Sequence, residues 1–277
     1  MLYDLHTHTK ASDGKLSPKD LIDEAVKLKL PGIAITDHDT VSGLHEAMDY
    51  QIHVKNQIEV IPGIEMNTEM DGSEVHILGY YIDHFNSHLC ERLQELKESR
   101  LKRAKMMVKK LKAMGYRITF EQVQQLAEND LIARPHIAQV LVHNNSIFSV
   151  KEAFEKLIGR GRPAYVPRYK FFPQEAVDLI KSAKGIPVLA HPGLINKQEI
   201  IEEIVAMGIE GIEVYYPEHS SKQIEKYKNL AVNNNLLITG GSDYHGPGMK
   251  VITCNLGSVG ITPDLMKEIK IFYNKNR

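Results

Sequence analysis

Short apolar runs alternate with amphipathic helical patterns along most of this 277-residue chain. Residues 2–6, for example, form an apolar run typical of a strand, and residues 21–28 then repeat apolar side chains at the spacing of one helix face. Strands that are each followed by a helix lie parallel in the sheet. The pattern therefore predicts an α/β protein with seven strand–helix units, interrupted once.

The interruption follows the fourth strand pattern. Between about residues 85 and 162 the sequence is helical and rich in turns, and a long helix pattern there closes at Gly115. A segment of this length can bury a small core of its own. We therefore predict an inserted helical subdomain at 85–162, and a main domain made of residues 1–84 and 163–277.

Composition excludes several classes of protein. The formal net charge is −1, so the chain lacks the overall positive charge that is typical of nucleic-acid-binding proteins. No apolar run reaches the length of a membrane span. Cys90 and Cys254 cannot form a disulfide framework, and residues 1–4 lack the features of a signal peptide. We expect a cytoplasmic protein with no membrane partner, and no obligate protein partner is evident.

Side chains of metal-ligand type follow one strand pattern after another. His6 and His8 are two residues apart, so that both point to one face of the first strand. In a (β/α) barrel the strand ends face one way, and the loops after them build the active site. One histidine there would mean little, but nine such groups favour a metal-binding rim and a barrel over an open sheet. The nine are His6, His8, Asp13, His38, Glu65, His76, His191, Asp243 and His245.

The motifs around these residues resemble the polymerase-and-histidinol-phosphatase (PHP) family. They are His6-Thr7-His8, Ser12-Asp13-Gly14, Thr36-Asp37-His38, Pro62-Gly63-Ile64-Glu65 and Ser242-Asp243-Tyr244-His245. The resemblance covers residues 1–84 and about 163–260. It implies a distorted seven-stranded (β/α)7 barrel similar to a TIM barrel, and a metal-dependent phosphoesterase.

The resemblance also implies three divalent metal ions. It assigns to the first ion His6, His8, Glu65 and Asp243, to the second Asp13, His38 and His245, and to the third Glu65, His76 and His191, with Glu65 bridging. Many relatives have a histidine in place of Asp13, and its harder oxygen favours Mn²⁺ or Fe²⁺, with Zn²⁺ also possible. The positive charge suits a phosphate ester, which a metal-activated hydroxide would attack.

The predicted insert carries candidates for substrate contact. Ala133-Arg134-Pro135-His136 resembles the subgroup of small-nucleotide phosphoesterases and 5′-end RNA exonucleases. Arg134 would bind a phosphate group, and His136 would protonate the leaving group. Alternatively, Arg134 caps a helix and His136 is merely exposed.

Further basic residues leave two interpretations open. Arg160, Arg162 and Arg168 could form an anion clamp for the substrate or a basic surface loop. The basic helix pattern at 97–112 could be a solvated face, or it could guide a nucleic-acid strand.

The sequence as a whole predicts a metal-dependent phosphoesterase. Its substrate would be a small nucleotide, such as a 3′,5′-bisphosphonucleotide or a nucleoside monophosphate, or the 5′ end of a short RNA. A second interpretation is histidinol-phosphate phosphatase, which the same family includes. A third is a metal-binding module without catalysis; such loss would normally break ligands, and all nine are present.

Overall fold

The computed structural model describes residues 1–126, 132–248 and 254–276. Within these residues seven strands form one sheet in chain order. The strands are β1 (Asp4–Thr7), β2 (Gly32–Ile35), β3 (Glu59–Met70), β4 (Ser73–Tyr80), β5 (Ile186–Leu189), β6 (Gly211–Tyr215) and β7 (Leu237–Gly240). The helices are α1 (Pro18–Lys27), α2 (Ser42–Val54), α3 (Ser87–Ala113), α4 (Phe120–Leu126), α5 (Arg134–His143), α6 (Val150–Ala153), α7 (Pro173–Ser182), α8 (Gln198–Ala206), α9 (Ser221–Asn233) and α10 (Pro263–Asn276).

Local sequence explains where helix α1 begins. The Ser17 side chain accepts a hydrogen bond from the Asp20 N–H at 3.1 Å, and Pro18 occupies the first helical position, where its missing N–H costs nothing. The apolar face of the helix buries Leu21 and Ile22 completely. The Ser-Pro-x-Asp sequence of residues 17–20 therefore determines where this helix begins.

Strand β4 shows that the prediction of seven parallel strand–helix units is wrong. β3 and β4 are joined directly by Asp71 and Gly72, whose φ angles are 47° and 78°, and the two strands pair antiparallel. β4 also pairs antiparallel with β5. An Asp-Gly pair in this left-handed conformation favours a two-residue hairpin and leaves no room for a crossover helix. The other neighbouring pairs in the sheet are parallel.

The sheet curls toward closure in the manner of a TIM-like barrel. Thr7 in β1 forms a bridge with Tyr244, which follows β7. One face of the sheet packs its apolar side chains, including Leu5 and Leu78, against Met266 and Ile269 of α10. The ends of the first and last strands therefore meet at one rim. No helix in the described ranges is both long and apolar enough to cross a membrane.

The chain divides into two compact units. The sheet unit comprises Met1–Glu91 and Phe171–Arg277, and the helical unit comprises Arg92–Lys170. The helical unit has its own buried cluster, which includes Leu111, Val123 and Leu141. Its limits lie a few residues beyond the 85 and 162 expected from the sequence.

Candidate metal centre

His6 and His8 lie together where β1 ends. Both side chains are buried, and their ring centroids are 5.2 Å apart. The chain after β7 passes so close that a Cβ on Gly241 would lie 2.4 Å from the His6 Cβ. Glycine is therefore required at this position, and the close approach brings Asp243 to the two histidines.

Glu65 occupies the middle of the site and is 1% exposed. Each of its oxygens faces a different set of imidazole nitrogens at 2.7–3.3 Å: Oε2 faces His6, His8 and His38, and Oε1 faces His76 and His191. A carboxylate placed in this way can bridge two metal ions.

Asp243 approaches the first two histidines from the chain after β7. Its Oδ1 lies 3.0 Å from His8 Nε2 and 3.4 Å from His6 Nε2. Its Oδ2 accepts a hydrogen bond from the hydroxyl of Tyr216 at 3.0 Å. The tyrosine therefore holds one oxygen of Asp243, and the other oxygen points at the imidazoles.

Asp13 lies at the outer side of the site, with 46% of its side chain exposed. Its Oδ1 is 3.2 Å from His245 Nε2, and its Oδ2 is 3.9 Å from His38 Nε2. The ring of His245 stacks on that of His8 with centroids 4.1 Å apart. Asp13 thus faces the solvent side of a cluster whose other side is buried.

His76 reaches this rim for a reason different from the predicted one. We expected Glu65 to end the third strand and His76 to lie within a parallel fourth strand; His76 does lie in β4, in its first half, where it pairs with Asn67 of β3. Because β4 is antiparallel, its first half lies beside the last residues of β3. Glu65 likewise lies inside β3, which continues to Met70, and not at its end.

The nine predicted ligand side chains are brought together in the sheet unit. Their ligand atoms form three groups within 4.8 Å: His6 with His8, Glu65 and Asp243; His8 with Asp13, His38 and His245; and His38 with Glu65 and His76. The first group equals the set expected for one ion. The second adds His8, and the third contains His38 where the resemblance implied His191. His191 lies beside this third group, since its Nε2 is 3.0 Å from Glu65 Oε1.

The donor set fits divalent metal ions. Seven buried atoms at this rim have no hydrogen-bond partner among the described residues: His6 Nε2, His8 Nδ1, His8 Nε2, His38 Nδ1, His76 Nε2, Glu65 Oε2 and Asp243 Oδ1. Leaving one such atom unpaired costs about 1–3 kcal/mol. Two ligands bound about 2.1 Å from one ion lie about 3.0–3.4 Å apart, which is the spacing between Asp243 Oδ1 and the nearest imidazole nitrogens.

The acids and imidazoles shift one another's pKa. Burial disfavours the charged form of His38, but Glu65 and Asp13 outweigh burial and raise the pKa of His38 to about 9. Glu65 likewise outweighs burial and raises the pKa of His76 to about 9. Burial would raise the pKa of Glu65, but the surrounding histidines hold it well below its usual value. Cations therefore stabilise this centre, and metal ions compete with protons for it.

Glu213 is a site residue that the sequence analysis missed. It is fully buried in β6, where its Oε1 accepts a hydrogen bond from His6 Nδ1 at 3.0 Å and its Oε2 accepts one from the His191 backbone N–H at 2.7 Å. Because a carboxylate only accepts, the neutral His6 ring carries its proton on Nδ1 and presents Nε2 to a metal. The available signal was an acid within a short apolar strand pattern.

Asp37 shapes the loop that carries Asp13. Its carboxylate accepts hydrogen bonds from the Thr9 N–H at 2.7 Å, the Thr9 hydroxyl at 2.7 Å and the Ser12 hydroxyl at 2.6 Å. The Ser-Asp-Gly motif therefore depends on an acid that precedes His38.

The candidates for substrate contact belong to the helical unit. Arg134 and His136 begin α5, and the Arg134 guanidinium lies 5.3 Å from the ring centroid of Phe154. His136 Nδ1 accepts a hydrogen bond from the Ala133 N–H at 3.2 Å, so this ring, and not Arg134, caps the helix. The remaining candidates are Arg160 and Arg162, which are exposed, and Arg168, which is half-buried. Substrate contact by these residues stays a prediction.

The sequence matches one protein-family model and is similar to several bacterial enzymes. The model of the PHP domain matches residues 4–238. The chain is 33% identical over 252 residues to the 5'-3' exoribonuclease Rnm of Escherichia coli, covering 89% of this chain and 86% of the relative. It is 34% identical over 251 residues to the 3',5'-nucleoside bisphosphate phosphatase of Chromobacterium violaceum, covering 88% of this chain and 87% of the relative.

The fold is likewise similar to that of a crystal structure from Bifidobacterium adolescentis, described as a candidate metal-dependent phosphoesterase. The TM-score is 0.80 at 31% identity, and the match covers 97% of this chain and 95% of that chain. Together with the cluster of His, Asp and Glu side chains, these comparisons show that the chain belongs to the PHP family of metal-dependent phosphoesterases.

Proposed function

We propose that this enzyme hydrolyses phosphate esters of small nucleotides, such as 3′,5′-bisphosphonucleotides and nucleoside monophosphates, or acts on the 5′ end of short RNA. The observation that carries the proposal is the set of buried, unpartnered ligand atoms around Glu65. The names of the relatives, an exoribonuclease and a nucleoside bisphosphate phosphatase, support the substrate class.

Three divalent metal ions, Mn²⁺ or Fe²⁺ in preference to Zn²⁺, are part of this proposal. The ligands would be the nine side chains gathered at the rim, with Glu65 shared between ions. Bound divalent ions lower the pKa of water and neutralise charge on a phosphate group. Asp13 supplies a hard oxygen at the exposed side of the cluster, which supports the preference for Mn²⁺ or Fe²⁺.

Residues of the helical unit would bind and protonate the substrate. We assign phosphate binding to Arg134, Arg160, Arg162 and Arg168, because guanidinium groups fork onto phosphate oxygens. His136 accepts a hydrogen bond at Nδ1, so its neutral ring carries the proton on Nε2, from which it would reach a leaving oxygen. We also propose that the helical segment is an inserted subdomain that selects the substrate, which its separate buried core supports.

Phosphate release with Mn²⁺ present tests the proposal. A 3′,5′-bisphosphonucleotide, a nucleoside monophosphate and a short 5′-phosphorylated RNA would be compared with histidinol phosphate. We expect release from the nucleotides, and loss of release in His38→Ala and Asp243→Ala with circular dichroism unchanged. His45→Ala is the matched control, because His45 is exposed on α2 and belongs to none of the three ligand groups. Turnover of histidinol phosphate alone would favour the alternative phosphatase, and full activity of either site variant would refute the mechanism.

A further inference from the structure

Arg103 of α3 is a half-buried cation that the proposed metal chemistry does not use. Its Nε donates a hydrogen bond to the Val166 carbonyl at 2.8 Å, whereas its Nη2 is buried without a hydrogen-bond partner among the described residues. Burial, followed by repulsion from Arg134, Arg168 and Arg100, lowers the pKa of Arg103 to about 10. Repulsion between like charges is costly, and an anion bound beside Arg103 would relieve it.

Arg103 also lines a cavity of about 440 Å³ within the helical unit. This volume lies in the usual range of small-molecule sites. Lys102 and Arg92 add two further cations to the wall. Met106 and Tyr169, which are 49% and 53% exposed, add an apolar and an aromatic surface. The cavity therefore combines cations with a flat ring.

The ring of Tyr169 is held in place. The Arg92 guanidinium lies 5.0 Å from the ring centroid, and its Nη2 donates to the Tyr169 hydroxyl at 3.2 Å. Two carboxylates also line the cavity: Glu95 pairs with Arg92 at 2.6 Å, and Glu98 accepts from the neutral Gln94 amide at 3.1 Å. Three cations line the same wall, so its charge stays positive. A ring fixed in advance loses little entropy when a base stacks on it.

We propose that this cavity binds one nucleotide of a single-stranded RNA, with a backbone phosphate at Arg103 and Lys102 and the base against Tyr169 and Met106. Cations that follow the backbone, combined with a stacking ring, are the usual means of holding a single strand. The inference rests on the proposed function, because it assumes that RNA is a substrate. It adds an anchoring site whose residues are separate from the nine metal ligands.

RNA binding measured by fluorescence anisotropy tests this site. The full-length chain would be titrated into a labelled short oligoribonucleotide in the presence of a chelator, so that the strand is not consumed. We expect Tyr169→Ala and Arg103→Met each to weaken binding about tenfold. Lys102→Gln and Arg103→Met should also lower the salt dependence of binding by about one phosphate contact, whereas Tyr169→Ala should not.

Lys109→Gln is the matched control, because Lys109 is an exposed lysine of the same helix that does not line the cavity. We expect it to change affinity less than twofold, a small fraction of the effect of stacking. An equal loss in Lys109→Gln would overturn the proposal in favour of a diffuse basic face. Unchanged affinity in both Tyr169→Ala and Lys102→Gln would also overturn it, even if Arg103→Met failed to fold.

Two further measurements separate the sources of binding. If inorganic pyrophosphate displaced the RNA and Tyr169→Ala had no effect, the cavity would be an anion site only, and the nucleotide proposal would be wrong. Release of phosphate from a 3′,5′-bisphosphonucleotide, or of mononucleotide from the RNA, by the wild-type enzyme with Mn²⁺ tests the proposed function independently. If the enzyme turns over its substrates but the cavity variants bind RNA as the wild type does, this inference alone is refuted. If the cavity variants lose RNA affinity but the wild-type enzyme shows no turnover, the proposed function is refuted.

Discussion

Replacing Glu213 by Gln should weaken metal binding although the side chain touches no expected metal position. The carboxylate accepts two hydrogen bonds, one from His6 Nδ1 at 3.0 Å and one from the His191 N–H at 2.7 Å. A glutamine has one accepting oxygen and one donating nitrogen. If its oxygen keeps the His191 N–H, its NH₂ group faces Nδ1 of His6.

The magnitude follows from the tautomer of His6. An NH₂ group facing Nδ1 favours the proton on Nε2, which is the nitrogen that lies 3.2 Å from Glu65 and 3.4 Å from Asp243. That nitrogen could then bind a metal only after the ring shifts its proton. Loss of a partner that orients a ligand histidine typically costs about 10- to 100-fold in metal affinity, or about 1.4–2.7 kcal/mol. We expect a loss in this range.

Calorimetry with Mn²⁺ on chelator-stripped protein measures this loss, and elemental analysis after gel filtration counts the ions retained. Glu225→Gln is the matched control, since Glu225 is an exposed acid on α9. The variant should keep its fold by circular dichroism, because Gln has the size of Glu. Wild-type affinity and metal content in Glu213→Gln would refute the assignment of the His6 tautomer.

Three further predictions concern other parts of the chain. Gly241→Ala should lower metal content without loss of helical circular dichroism, because the new Cβ would lie 2.4 Å from the His6 Cβ. Stability to urea should fall as pH falls below about 6.5, because burial lowers the pKa of His219 and the unfolded chain then binds more protons; His219→Gln should reduce this pH dependence. Leu141→Ala should destabilise the helical unit by about 2–5 kcal/mol in urea unfolding, because Leu141 is fully buried in its core.

The sequence allowed the α/β class and the seven strands to be predicted, because apolar runs and helix starts such as Ser17-Pro18 are local signals. The direction of β4 was predicted wrongly, because β4 is antiparallel to both of its neighbours. The hairpin depends on Asp71 and Gly72. This dipeptide is a hairpin signal, but the regular alternation of strands and helices elsewhere in the chain led to the prediction of a parallel strand. The direction of a strand is defined by the strand it pairs with, so the apolar pattern of a single strand does not predict it.

The metal ligands of the candidate site could be predicted from the sequence, but their hydrogen-bond partners could not. The nine expected ligands share their chemistry, seven of them lie in the family motifs, and the fold brings all nine together in the sheet unit. Glu213 was missed because an acid within an apolar strand pattern does not show what it will contact; its role arises from hydrogen bonds to His6 and to His191. The third group contains His38 and not the expected His191. This difference depends on side-chain distances, which the spacing of residues along the chain does not determine.

Buried acids outside the ligand set explain how the first strand can present two histidines so firmly. Asp4 accepts hydrogen bonds from the Ser242 N–H at 2.8 Å and the Gly257 N–H at 2.8 Å, which ties β1 to the segment that carries Asp243. Asp37 ties the loop after β1 to the end of β2, and Glu213 ties His6 to β6. Each tie is a hydrogen bond to a buried carboxylate and involves no metal ion. The rim should therefore keep its arrangement when metal is removed, so that metal binds a site already formed and little of its binding energy is spent on ordering loops.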